Sequence, residues 1–138
     1  MVNHVVTSSA LPRVLLCLDA TDIRFRFDNG DGTERIYSAT DTLTPSCPKP
    51  DPAIYFHALE AAGIGPEDAI AIEDSPSGVR SAVAAGIKVI GFIAGTHIPR
   101  DQRAAHTHAL LNAGASTVVT QGSHLRFAIT HHFERGLD

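Results

Sequence analysis

Apolar residues fall along the chain in short runs punctuated by glycine, proline and small hydroxyl residues. Val5-Val6-Thr7 ends in Thr7-Ser8-Ser9, which predicts a brief buried strand over residues 4–7 and then a turn. Ser9 is placed to cap a helix with Pro12 in its first turn and Leu11, Val14, Leu15 and Leu18 on one face. Over residues 23–39 the period changes. Ile23, Phe25 and Phe27 alternate with Arg24 and Arg26, Asn29-Gly30-Asp31-Gly32 turns, and Ile36-Tyr37 follows. That is the pattern of a hairpin, or of a loop entering a single strand.

From residue 49 the pattern sharpens. Asp51 as N-cap and Pro52 at N1 open a helix with Ile54, Ala58, Leu59 and Ala62 as its buried stripe and Gly63 as its stop. Ala69-Ile70-Ala71-Ile72 is a continuous apolar strand that runs out into Glu73-Asp74. Ser75-Pro76 opens the next helix, with Val79, Ala82 and Val83 inward and Gly86 as its end. Residues 89–93 form another strand, a helix covers about 100–113, and 117–120 is a last strand. Two helix-Gly-strand units, 82–92 and 110–120, resemble each other, though no long repeat is present.

Strands that alternate with helices and are buried on both faces predict an α/β protein: a three-layer, Rossmann-like, mainly parallel sheet. Residues 1–125 form the domain in this reading and 126–138 a C-terminal tail, frayed around His131-His132-Phe133-Glu134-Arg135.

Composition narrows the function. Eleven basic against fifteen acidic residues give a net charge of −4, and no Lys/Arg run offers a nucleic-acid footprint. No run is long enough to span a membrane, and the first residues lack the basic start of a signal peptide. With Cys17 and Cys47 as isolated cysteines, the expectation is reduced thiols in a cytoplasmic protein.

In an open parallel sheet the reactive rim lies beyond the carboxyl ends of the strands. Thr7-Ser8 after the first strand, Lys49 ahead of a helix and Glu73-Asp74 after the central strand all fall there. Hydroxyls and backbone N–H groups hold phosphate oxygens, an ammonium neutralises a transferring phosphoryl group, and carboxylates hold Mg²⁺. Adjacent strand residues face opposite ways, so Asp74 ranks above Glu73 as the metal ligand. Each of these residues also has a plainer reading: a surface lysine, a solvated strand exit, or turn and cap chemistry.

The remaining motifs point nowhere comparable. His106 and His108 diverge at i, i+2 on a helix, which argues against a histidine metal site. Asp28-Asn29-Gly30-Asp31-Gly32 puts glycines where a calcium loop needs ligands, and no G-x-G-x-x-G is present.

Two segments carry a resemblance to a family. Lys49-Pro50-Asp51-Pro52-Ala53-Ile54-Tyr55 resembles the K-P-x-P-x-x-[FY] segment of haloacid dehalogenase-like (HAD) hydrolases. Ile72-Glu73-Asp74-Ser75-Pro76-Ser77-Gly78-Val79-Arg80-Ser81-Ala82 resembles their acidic motif, and Val5-Val6-Thr7-Ser8-Ser9 their hydroxyl motif. The style is that of phosphoglycolate phosphatase and β-phosphoglucomutase, over roughly residues 4–96. The resemblance implies that Thr7 and Ser8 bind phosphate, that Lys49 binds it and stabilises its charge, and that Asp74 ligates Mg²⁺ with Glu73 as second ligand or water-holder. It also implies a small phosphorylated metabolite as substrate.

Such enzymes attack phosphate with the first Asp of D-x-D-x-[TV], a motif these 138 residues do not contain. The nearest substitute, Asp19-Ala20-Thr21, follows a segment whose leucines fit a helix face, and only about six residues separate Thr7 from Val14, too few for a parallel crossover. The expectation is therefore a truncated HAD core lacking the nucleophile strand and the substrate-selecting cap. Its bare sheet edges would be open to self-association. The competing expectation is an inactive domain that persists as a binding or structural module. A response-regulator receiver is set aside, because its acid pair precedes its lysine.

Overall fold

The structure, a computed structural model, describes residues 1–95 and 97–134. Among these residues, five short strands, all paired in parallel, alternate with five α-helices, in two sheets. The chain divides into two compact units, residues 1–64 and 65–138.

In the first unit, β1 (Val5–Thr7) pairs in parallel with β2 (Ile36–Ser38), with Val5 opposite Ile36 and Thr7 opposite Ser38. The crossover between them contains α1 (Leu11–Ala20), whose Leu11, Val14, Leu15 and Leu18 are its half-buried face, as the spacing predicts. Its cap differs from the expected one. Ala10, not Ser9, holds the N-cap position, and the Leu11 N–H donates to Asp41 Oδ2 at 2.6 Å. A carboxylate thirty residues away thus performs the task expected of a neighbouring serine. That bond, followed by the Thr40 hydroxyl, holds the Asp41 carboxyl below its ordinary range.

Residues 23–39 make a loop into one strand. Arg24–Phe27 coil into a 3₁₀ turn, and one antiparallel bridge, Asp28 to Glu34, closes the glycine turn ahead of β2. Arg24 grips Glu34 through two bonds, at 2.7 and 2.9 Å. That pairing outweighs the alternation that suggested a hairpin arm.

Next comes α2 (Ala53–Ala62), which begins one residue later than the Asp51-Pro52 pattern predicts. The Asp51 carboxylate still accepts the Ala53 N–H at 2.8 Å, and Gly63, at φ 66°, ends the helix. The buried stripe is Ile54, Tyr55, Ala58 and Leu59, with Ala62 half-buried.

The second unit is a three-stranded parallel sheet in the order β3 (Ile70–Glu73), β4 (Lys88–Phe92), β5 (Thr117–Val119). Between them run α3 (Pro76–Ala84) and α4 (Arg103–Asn112), and α5 (Gly122–Glu134) follows the last strand. The central strand is buried at Val89, Ile90 and Gly91, with Val79, Ala82 and Leu110 packed in the same core.

Three expectations fail here. Ile72 on β3 and Val83 on α3 are each 42% exposed, so β3 is not buried on both faces and Val83 is not an inward residue. A sheet edge alternates where a central strand does not. The predicted frayed tail is instead helical through Glu134; Arg135 lies outside the described residues. No helix among the described residues is long and apolar enough to cross a membrane.

Two predictions follow from the packing. Ile54 is fully buried, so Ile54→Ala should lower stability by about 2–5 kcal/mol in urea titrations. His4 stacks on Tyr37 with ring centroids 5.9 Å apart, and burial, then the nearby Arg35, lowers its pKa below 6.5. Its neutral form therefore stabilises the fold fully above that pH, and the contribution is lost as pH falls through the lowered value. Between about pH 7 and about pH 5 the thermal midpoint of the wild type should fall further than that of His4→Phe, which keeps the ring stack without the titration.

Candidate functional site

In the first unit, the carboxyl end of β1 gathers Thr7, Ser8 and Lys49. The Lys49 backbone N–H donates to Ser8 Oγ at 3.0 Å, and its ammonium donates to the Val6 carbonyl at 2.9 Å. The same ammonium lies 4.9 Å from the centroid of the Tyr55 ring, a cation–π distance. Tyr55 is buried in the first turn of α2 and stands at the aromatic position of the lysine-proline segment. The sequence pattern alone assigns that residue no task; in the structure its ring sits under the lysine ammonium. Thr7 Oγ1 accepts the Ser9 N–H at 3.0 Å, which closes the turn after β1. The three predicted anion-side residues therefore meet at one strand end, with Thr7 also serving the turn.

In the second unit, the acid pair divides. Glu73 is the last residue of β3, still in register opposite Gly91, and is buried. Its carboxylate lies over Gly78 in the first turn of α3, where an added Cβ would fall inside it. Glycine leaves that carboxylate its room where strand exit and helix entry approach closely. Asp74 stands in the two-residue turn before α3, and its side chain is about half exposed. The carboxylates of these adjacent residues turn to different neighbours. Ser75 caps α3 by accepting the Gly78 N–H at 3.1 Å, as predicted.

Two histidines come to Asp74. His97 Nε2 lies 3.2 Å from its Oδ2, and His106 Nε2 lies 2.6 Å from its backbone carbonyl oxygen. His108, two residues on, is exposed, so the two helix histidines do diverge. Nothing local in the sequence signals these contacts, since the His106 partner is thirty-two positions away.

Asp19 sits near the end of α1, paired with Arg24 at 3.0 Å, and lines an acidic cleft with Asp22, Asp28 and Glu34. Asp19 is thus helical, as the leucine spacing of its segment predicts, and ion-paired. The Glu34 hydrogen bonds, then Asp19, push Arg24 above its ordinary range.

Comparison with known proteins joins these observations. The family profile described as haloacid dehalogenase-like hydrolase matches residues 4–92, which include β1, the lysine segment and the acid pair. The chain belongs to that family. Over 49 residues it is 43% identical to the 6-phosphogluconate phosphatase of Escherichia coli, and over 72 residues 42% identical to the phosphorylated carbohydrates phosphatase of Thermotoga maritima. Those segments are 36% and 51% of this chain but only 22% and 30% of the relatives. Among solved structures it is similar to a conserved haloacid dehalogenase-like protein from Agrobacterium tumefaciens, with 31% identity and a TM-score of 0.77 over 90% of this chain and 51% of that one. A HAD family hydrolase from Deinococcus radiodurans, with bound phosphate and sodium, matches at 28% identity and a TM-score of 0.74 over 91% of this chain and 50% of that one. The chain thus spans about half the length of these HAD structures.

The contact between Glu73 and Gly78 gives a prediction with an unusual sign. At an open helix position glycine to alanine stabilises by roughly 1 kcal/mol. Here Gly78→Ala should destabilise, by about 1–3 kcal/mol. In a Glu73→Ala background the same change should become neutral or stabilising. Urea denaturation of the four proteins decides it.

Proposed function

We propose that this chain is the phosphate- and metal-handling part of a Mg²⁺-dependent HAD phosphatase or phosphomutase acting on a small phosphorylated metabolite. The observation that carries the reading is the chain order of Thr7 at the end of β1, Lys49 in the loop between β2 and α2, and Asp74 directly after β3, all inside the segment the family profile matches. Lys49 is the catalytic cation: its ammonium neutralises charge on the transferring phosphoryl group. Thr7 and Ser8 supply hydroxyls to the phosphate oxygens.

A hard dication fits Asp74. Its carboxylate is an oxygen donor with about half its surface in solvent, and Mg²⁺ commonly takes one or two carboxylates and keeps several waters. Asp74 would hold the ion, with Glu73, buried against Gly78, bracing the turn or holding a water. When bound, Mg²⁺ supplies positive charge to the phosphate oxygens. The name of the phosphorylated carbohydrates phosphatase supports that substrate class; a protein from Thermotoga maritima provisionally assigned as a β-phosphoglucomutase, 30% identical with a TM-score of 0.67, keeps the mutase reading in view.

The covalent step of this family needs the aspartate of D-x-D-x-[TV], and these 138 residues contain no such segment. On this reading the nucleophile belongs to a part of the enzyme outside them. The same observation favours a second reading, in which the domain binds phosphate without turning it over.

Titrating the chain with inorganic phosphate in the presence of Mg²⁺ tests the site. Lys49→Ala and Asp74→Ala should each weaken binding about tenfold or more. Binding unchanged by both would sink the assignment. An aryl phosphate offered with Mg²⁺ should not be turned over by these residues alone. Turnover abolished by Asp74→Ala but not by Asp19→Ala would overturn the account of the absent nucleophile.

A further inference from the structure

We infer that His97 and His106 are positioning residues for Asp74, a role that rests on the reading of Asp74 as the metal ligand. The Asp74 carbonyl lies in the turn between the last rung of β3 and the first residue of α3, so neither ladder nor helix takes its oxygen. A carbonyl at this exposed turn could be left to water. Instead the His106 ring on α4 reaches it at 2.6 Å. The oxygen can only accept, so the ring donates from Nε2, and that bond sets the tautomer.

His97 approaches from the segment after β4. Its Nε2 lies 3.2 Å from Asp74 Oδ2, close enough to bias the carboxylate toward one rotamer. A Cβ on Gly95 would meet the His97 ring, so the ring lies folded against its own loop. That loop is held down. Ile93 and Ile98 are buried on either side, and the Arg103 guanidinium on α4 reaches the carbonyls of Ile98 and Gly95 at 3.4 and 3.5 Å. Leu110, fully buried, anchors α4 itself.

Asp74 is therefore flanked at both ends, backbone and carboxylate, by imidazole nitrogens, one on α4 and one in the loop after β4. Partners of a ligating carboxylate fix its direction, and removing one weakens metal binding by roughly ten- to a hundredfold. A histidine serving only to seal the surface would leave metal affinity unchanged.

The test uses Mn²⁺ as probe on the full 138-residue chain, with unbound Mn²⁺ followed by electron paramagnetic resonance. The wild type should bind the ion, and Asp74→Asn should abolish binding. His97→Ala and His106→Phe should each weaken it about tenfold. His97→Gln and His106→Gln, which keep an N–H donor, should recover most of the loss. Binding that Asp74→Asn abolishes but both donor-removing variants leave intact overturns the positioning role and spares the metal site. No binding by the wild type overturns both. If His106→Phe loses its circular dichroism, His97→Ala, altered at an exposed side chain, decides alone.

Discussion

The short junction between β3 and α3 sets the terms for the second unit. A parallel ladder that runs through Glu73 and a helix that begins at Pro76 leave only Asp74 and Ser75 to reverse the chain. So tight a junction forces close approach: the Glu73 carboxylate has only the space that Gly78 leaves by lacking a Cβ. Asp74, next in line, is turned the other way, toward the histidines. Ser75 satisfies one of the helix N–H groups that would otherwise point unpaired at the same spot. Three neighbouring side chains thus have three different environments because the backbone between them has almost no freedom.

The first unit solves a different problem with a longer reach. Lys49 lies more than forty positions from β1, yet two hydrogen bonds tie it to the end of that strand. One comes from its backbone and one from its ammonium, so the segment and the side chain are both located. The Tyr55 ring, carried by the helix that the lysine segment introduces, offers an apolar face to the stem and a quadrupole to the charge. The spacing of lysine and aromatic residue is one helical entry long, which is why the pair travels together as a motif.

Much of this was legible in the sequence, wherever a signal was local. The alternation of short apolar runs with capped helices indicated a parallel α/β fold, and Gly63, Gly86 and Ser75 marked their boundaries correctly. What sequence reasoning missed was set by partners distant in the chain. Asp41 took the capping task expected of Ser9. Arg24 drew Glu34 into a pairing that a two-residue period could not reveal. His106 looked idle because its acceptor belongs to a different element. Ile72 and Val83 were read as buried because apolar character alone does not tell a sheet edge from its centre or the outer face of a helix from its inner one.

The hold of the Val6 carbonyl on the Lys49 ammonium has a thermodynamic consequence. A lysine in solvent samples many rotamers, and confining it costs up to about 2 kcal/mol. Here that confinement is imposed as the chain folds, by a carbonyl and an aromatic ring that exist before any anion arrives. An incoming phosphate would then meet a cation whose direction is already set, and almost none of its binding free energy would go into ordering the side chain.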